Sequence, residues 1–283
     1  MKLGVYSACL PSLVPPEAID AAAAAGYAGI EWRVASDIGS SGHPHFLTNN
    51  RCTVAPDSRS VADICTRTRA ADLEVVALSP YIDSGDVAGV QEMMRFARAN
   101  SVPSIRLRAP WMDDRGFHRL FAEARKFFDH VSTLAGHYGV RALLEIHQRS
   151  ICPSVSLAHQ LVGHLPPDRV GVIYDVGNLV VEGYEDHRMA LQILGDHLSH
   201  VHVKNAHYVR PAGGGVWTHR WSPMDDGVAD IPRVLRLLTE AGYRGWVSVE
   251  DFSDSRPVHE RLRFNAQFLR QHADFETPVP QPL

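Results

Sequence analysis

The sequence has only four cysteines in 283 residues, Cys9, Cys52, Cys65 and Cys152, widely spaced and with no C-x-x-C pair among them. Neither a zinc knuckle nor a disulfide framework is indicated, and the four are expected as reduced structural thiols. There is no run of lysine and arginine, and the formal charge is −4, so the clustered basic face of a nucleic-acid-binding protein is missing. No uninterrupted apolar stretch is long enough to cross a bilayer. The opening MKLGVYSACL lacks the apolar core and small-residue cleavage site of a signal peptide. These absences leave a cytoplasmic protein acting on a small molecule, with neither nucleic acid nor membrane as partner, as the expectation.

What is present is a regular alternation. Short β-rich runs (KLGVYS, AGIEWRV, LEVVALS, PSIRLRA, VRALLEIH, RVGVIYD, LSHVHVK, WVSVED) are separated by helix-like segments such as PEAIDAAAAAG and DIPRVLRLLTEAG. Eight strands, each followed by a helix, give the count of a (β/α)8 TIM barrel, and near-continuous apolar strands suit a parallel sheet covered on both faces. The 45% hydrophobic content supplies the core. EAGYRGWVSV before the eighth run echoes AAGYAGIEW before the second, each with a glycine closing a helix. No composition break divides the chain, so one α/β barrel domain over residues 1–272 is expected, followed by a Pro-rich tail over 273–283.

Side chains alternate across a strand, so parity tells which residues look into a barrel. Parity turns Arg106 and Arg108 inward on strand four, and Glu31 and Arg33 inward on strand two, either as a buried ion-pair network or as substrate contacts. Arg108 is nearer the C-terminal rim, where barrel enzymes carry their chemistry. The last inward positions of the four final strands are Glu145, Asp175, His202 and Glu250. Three carboxylates and an imidazole suit one divalent cation of the Mn, Mg, Co or Zn kind. Asp251 has the opposite parity and is expected to face or cap a helix. His147 and Lys204 share the inward direction of Glu145 and His202 and are candidate substrate contacts, while His200 lies deeper, as barrel filling. Two long segments, 37–58 after strand two and 205–227 after strand seven, bring His43, His45, Trp217, His219, Arg220 and Trp221 towards the mouth, with Gly213 to Gly215 as a hinge. Those aromatic and basic residues either stack on a substrate ring or form a contact in a homo-oligomer.

LLEIH, VGVIYDVGN, HVHVKN and GYRGWVSVEDF, with NNRCTV and RLRAPW as weaker support, make the chain resemble the xylose isomerase-like TIM barrels, often described as sugar phosphate isomerases/epimerases. The resemblance runs over nearly the whole chain. It implies one Mn-like ion held by Glu145, Asp175, His202 and Glu250, and Glu145 and Glu250 as the catalytic pair that moves a proton through a metal-stabilised enediolate. Substrate contacts are then expected at His147, Asn178, Lys204, Arg108, Trp111, Trp217 and Arg220.

The chain departs from the ketose epimerases of this family at three places. Asn178 stands where many have histidine, Ile151 where they have an acid, and Tyr208 where they have arginine. The leading expectation is a metal-dependent isomerase or epimerase of a sugar or related polyol. The alternative is a lyase on the same scaffold: a keto-inositol or dehydroshikimate dehydratase, or a carbon–glycoside cleaving enzyme. A non-catalytic sugar-binding barrel is the third reading.

Overall fold

The computed structural model describes residues 1–39 and 45–276. The strand runs β1 (Lys2–Tyr6), β2 (Gly29–Val34), β3 (Glu74–Pro80), β4 (Ser104–Arg108), β5 (Arg141–Glu145), β6 (Val170–Asp175) and β7 (Leu198–Val203) are followed by an antiparallel ribbon, β8 (Asn205–Val209) with β9 (Thr218–Ser222), and then by β10 (Trp246–Val249). All except the ribbon strands pair in parallel and close into a ring in the order β1-β10-β7-β6-β5-β4-β3-β2. GIEWRV and VGVIYD are buried at every position, because helices cover one face and the barrel interior the other. This is a single-domain (β/α)8 TIM barrel.

The surrounding helices are α1 (Pro15–Ala24), α2 (Ser58–Ala70), α3 (Val87–Ala99), α4 (Phe117–Tyr138), α5 (Val155–Val162), α6 (Val176–Val181), α7 (His187–Leu194), α8 (Ile231–Glu240) and α9 (Val258–His272). Asp57, Asp86, Ser154, Asp186 and Asp230 cap the starts of α2, α3, α5, α7 and α8 by accepting backbone N–H groups. Such caps satisfy donors a helix cannot satisfy itself, and they fix where each rim connection enters its helix. The two echoing glycines, Gly26 and Gly242, have φ of 79° and 72°, the left-handed conformation that ends a helix most cheaply with glycine.

After α9, Ala273 and Phe275 pack against the core and the Glu276 N–H donates to the Met1 carbonyl at 2.9 Å. The remainder of the expected Pro-rich tail lies outside the described residues, as does His43. The four cysteines are buried and unpaired with one another. Among the described residues no helix is long and apolar enough to cross a membrane.

Candidate active site

The C-terminal ends of four adjacent strands bring Glu145, Asp175, His202 and Glu250 together, with one donor atom from each lying within 4.8 Å of the others. His202 Nδ1 is 3.6 Å from Glu145 Oε1, 3.5 Å from Asp175 Oδ2 and 3.7 Å from Glu250 Oε2. Among the described residues it has no hydrogen-bond partner. The opposite ring nitrogen, Nε2, lies 2.8 Å from Glu31 Oε2, and the Tyr6 ring stacks on the imidazole at 5.8 Å. A neutral imidazole that gives its one N–H to Glu31 turns the Nδ1 lone pair towards three carboxylates. That is the orientation of a cation ligand supported by a carboxylate behind it.

Charge balance makes the same demand. Glu31, Glu145, Asp175 and Glu250 are buried together with Arg106 and Lys204, so acidic groups outnumber basic ones around His202, an imbalance that a bound cation relieves. Burial alone would lower the His202 pKa, but Glu31 and then Asp175 and Glu145 raise it well above the usual histidine value; the pocket calls for positive charge there. The residue set therefore fits a divalent cation, with Glu145, Asp175, His202 and Glu250 as its holders.

The ring of partners around the four is specific. Glu31 accepts from the Ser79 hydroxyl, and His200 Nε2 lies 2.9 Å from Ser248 Oγ and 3.4 Å from Glu31 Oε2. Burial raises the Glu31 pKa, but His202 and His200 outweigh it and bring the carboxyl down to about 2. Burial also depresses His200, to about 4, against the pull of Glu31, so it sits neutral in the barrel. Arg106 Nη1 donates to Glu145 Oε2 at 2.5 Å. Lys204 Nζ donates to Asp175 Oδ2 at 2.5 Å and also to Glu250 Oε2. Burial, only partly offset by Lys204, pushes Glu250 up to about 8, so among these acids it is the one most inclined to hold a proton. Asp175 also shapes the backbone, since its other oxygen accepts the Asn178 N–H at 2.8 Å and caps α6.

A cavity of about 590 Å³ opens above this floor, lined by Glu145, Glu250, His147, Asn178, Lys204, Arg108 and Trp111 among others. That volume is ordinary for a small-molecule site. His147 Nδ1 lies 2.7 Å from the Gln148 carbonyl oxygen, which can only accept, so Nδ1 carries the proton and Nε2 keeps a lone pair. Burial lowers its pKa. The Asn178 amide donates to the Ile146 carbonyl at 3.1 Å and so ties α6 to the end of β5. Trp111 meets His147 edge to face, with ring centroids 4.9 Å apart.

Three of the described residues expected at the mouth do not line the cavity. Segment 205–227 is the β8–β9 ribbon rather than an irregular loop, and its period-2 alternation turns His219 and Trp221 to the cavity while Trp217, beyond the strand, and Arg220 do not reach it. From segment 37–58 it is Phe46 and Leu47, not His45, that line the cavity, and Phe46 stacks on Phe252 at 4.3 Å. Tyr208 donates its hydroxyl to the Val181 carbonyl at 2.9 Å, fastening the ribbon over α6. Asp251, of opposite parity, accepts from Asn265 of α9 at 2.8 Å, as a helix-facing acid should.

Glu31 and Arg33, expected inward on strand two either in an ion-pair network or as substrate contacts, take different partners. Glu31 serves His202 across the barrel, while Arg33 Nη2 bonds Asp37 at 2.9 Å and Nη1 bonds Thr53. Tyr81, Phe46 and Phe252 were missed as lining residues. Phe252 carried a usable signal, sharing the parity of Glu250 two residues before it.

An inosose dehydratase of Geobacillus thermodenitrificans is 28% identical over 157 residues, covering 49% of this chain and 50% of that protein. An inosose dehydratase of Lactiplantibacillus plantarum is 24% identical over 198 residues, covering 66% and 64%. The matched stretches thus span half to under two thirds of these relatives' lengths. Among solved structures, the apo form of 3-keto-D-glucoside 4-epimerase, YcjR, from E. coli is 16% identical with a TM-score of 0.70, over 96% of this chain and 99% of that one. A structure of the IolI protein with a bound zinc atom is 19% identical with a TM-score of 0.71, over 96% of each chain. At these identities the structures speak for the fold. A family model described as xylose isomerase-like TIM barrel matches residues 19–272, and with the closed barrel this makes the chain a member of that family.

Proposed function

We propose that this protein is a divalent-cation-dependent enzyme that removes a proton from the carbon beside a carbonyl of a sugar or cyclic polyol, and that the turnover ends in loss of water. The observation that carries the choice is the commitment of Glu145. Its Oε2 accepts from Arg106, and its Oε1 faces His202 Nδ1 among the cation-holding atoms. Epimerisation by two opposed glutamates needs a free oxygen on each. Neither Glu145 Oε1 nor Glu250 Oε1 accepts a hydrogen bond among the described residues, but Glu145 Oε1 is the oxygen that faces the cation-holding atoms, whereas in Glu250 that oxygen is Oε2, which Lys204 also engages, so its Oε1 stays clear of both. The relatives named inosose dehydratase support the same outcome.

A cation held by Glu145, Asp175, His202 and Glu250 would polarise the substrate carbonyl and stabilise the enediolate charge that follows proton removal. The chain supplies the rest. Glu250 takes the C–H proton, and its carboxyl returns that proton to the hydroxyl oxygen departing from the next carbon. The C–H and C–O bonds break, a C=C bond forms and water leaves. His147, which lines the cavity and whose Nε2 keeps a lone pair, accepts a hydrogen bond from a substrate hydroxyl and fixes the ring. Lys204 and Asn178 bound the floor.

The test is NMR in deuterated water with Mn-supplemented enzyme against keto-inositols, ketohexoses and keto-glycosides. Loss of water supports this reading. An isomer of unchanged mass apart from incorporated deuterium returns the protein to the isomerase or epimerase expected from sequence. Glu250→Gln at saturating Mn should lower turnover by ~10²–10⁴-fold, as removal of a general base does; turnover within a fewfold of the parent would leave Glu250 as a ligand only.

A further inference from the structure

Among the described residues, one cation lining the cavity has no close acidic partner. Three guanidinium groups surround the Tyr81 ring, those of Arg33, Arg106 and Arg108, at 4.9, 5.0 and 5.1 Å from its centroid. Arg33 is satisfied by Asp37 and Thr53, and Arg106 by Glu145. Arg108 is different. Among the described residues its side chain makes no hydrogen bond, its Nε is buried without a partner, and its nearest acid is Asp83 at 4.0 Å, a side chain that is 94% exposed. The Trp111 ring centroid lies 5.5 Å from the same guanidinium, so Arg108 has two aromatic rings beside it where it lines the cavity.

Arg149 also lines the cavity, as an exposed residue. Its backbone has φ of 66°, a conformation uncommon outside glycine, held by the N–H donating to Glu182 at 2.7 Å, and among the described residues its side chain has no partner. The acids that line the cavity, Glu145 and Glu250, lie at its floor and are already engaged by Arg106 and Lys204.

A partly buried cation without a partner is costly to hold, and a guanidinium is a planar fork matched to the two oxygens of a carboxylate or phosphate. We infer that Arg108, assisted by Arg149, receives an anionic substituent of the substrate, which is therefore an acidic polyol rather than a neutral one. The inference rests on the reading of a polyol substrate seated above the floor acids, and it adds the charge that substrate carries.

The experiment compares three probes with one pyranose skeleton, D-glucose, D-glucuronate and D-glucose 6-phosphate, titrated calorimetrically into the Mn-supplemented protein. At least one anion should bind about tenfold or more tightly than glucose, the scale of a charge-assisted hydrogen bond. Which of the two anions is preferred distinguishes carboxylate from phosphate. Arg108→Leu should abolish the preference, Arg108→Lys should keep part of it, and Arg149→Ala should weaken it, each with an unchanged melting temperature. Equal binding of all three probes, no saturable binding of either anion, or a preference that survives in Arg108→Leu overturns the inference. Glu250→Gln separates this result from the proposed reaction: it should lose turnover while keeping the anion preference. A protein that turns over neutral keto-polyols without preferring anions keeps the reaction and loses the subsite.

Discussion

Glu31→Gln removes one buried charge while leaving shape and hydrogen bonding almost intact. The amide oxygen can accept from His202 Nε2, where the carboxylate oxygen now stands at 2.8 Å, and the amide nitrogen can donate to Ser79 Oγ. What is lost is the negative charge that makes His202 a stronger donor and holds its Nδ1 lone pair towards Glu145, Asp175 and Glu250. Loss of a carboxylate behind a metal-bound histidine costs roughly 10–100-fold in affinity, or about 1.4–2.7 kcal/mol. Ser79→Ala leaves the charge and deletes one hydrogen bond, so its effect should stay near ~1 kcal/mol. The assay is competition for Mn or Zn against a chromophoric chelator, with thermal melts of the same samples. An affinity for Glu31→Gln within twofold of the parent, in a protein that melts normally, would refute the assignment of Glu31 as the group that orients His202.

Other outcomes follow from single contacts. His202→Ala should lower bound metal from about one ion per chain to a small fraction by elemental analysis, since one convergent four-donor set is present among the described residues. In Gly177→Ala the new Cβ would sit 2.0 Å from Lys204 Cγ, so the variant should lose about 1–3 kcal/mol in a urea melt, with Lys204 displaced. Burial, followed by Arg233, depresses His187, which hydrogen-bonds Tyr174 at 2.6 Å. The unfolded chain therefore takes up that proton first: the contribution of His187 is full above its unfolded pKa of roughly 6.5 and is lost as pH falls below it. Melting temperature measured from pH 7.5 downwards should fall less steeply in His187→Gln than in the parent. Deleting Gly213 to Gly215 shortens the connection beyond the Val209–Thr218 pair without touching the ribbon register, so it should reduce turnover and leave the melt unchanged.

The barrel was legible because each strand is covered on both sides, which writes its apolar run into the sequence. Parity then placed Glu145, Asp175, His202 and Glu250 on one rim, since side-chain direction along a strand depends on nothing beyond its own residues. Relations between strands were not legible. Glu31 and Arg33 share a face, but which group each meets depends on barrel register and on the shift between Ile30 and Glu31 in the pairing with β3. The β8–β9 ribbon was hidden for a related reason. Its strands carry polar and exposed residues such as His207, Thr218 and Arg220, so a segment rich in glycine and proline at its centre read as loop.

The contact between His202 and Glu31 joins positions 171 residues apart. Loop closure over such a span comes late, after the local strand–helix units have formed. A half barrel has some of the floor acids but not the pairing that orients the imidazole, so the network exists only once β1 has met β10. Interactions absent from the folding transition state act on the rate of unfolding. If the pairing of Glu31 with His202 forms only after the transition state, the polar floor acts as a kinetic clasp, and Glu31→Gln should speed unfolding in a denaturant jump while leaving the refolding rate nearly unchanged; an equal slowing of refolding would refute this.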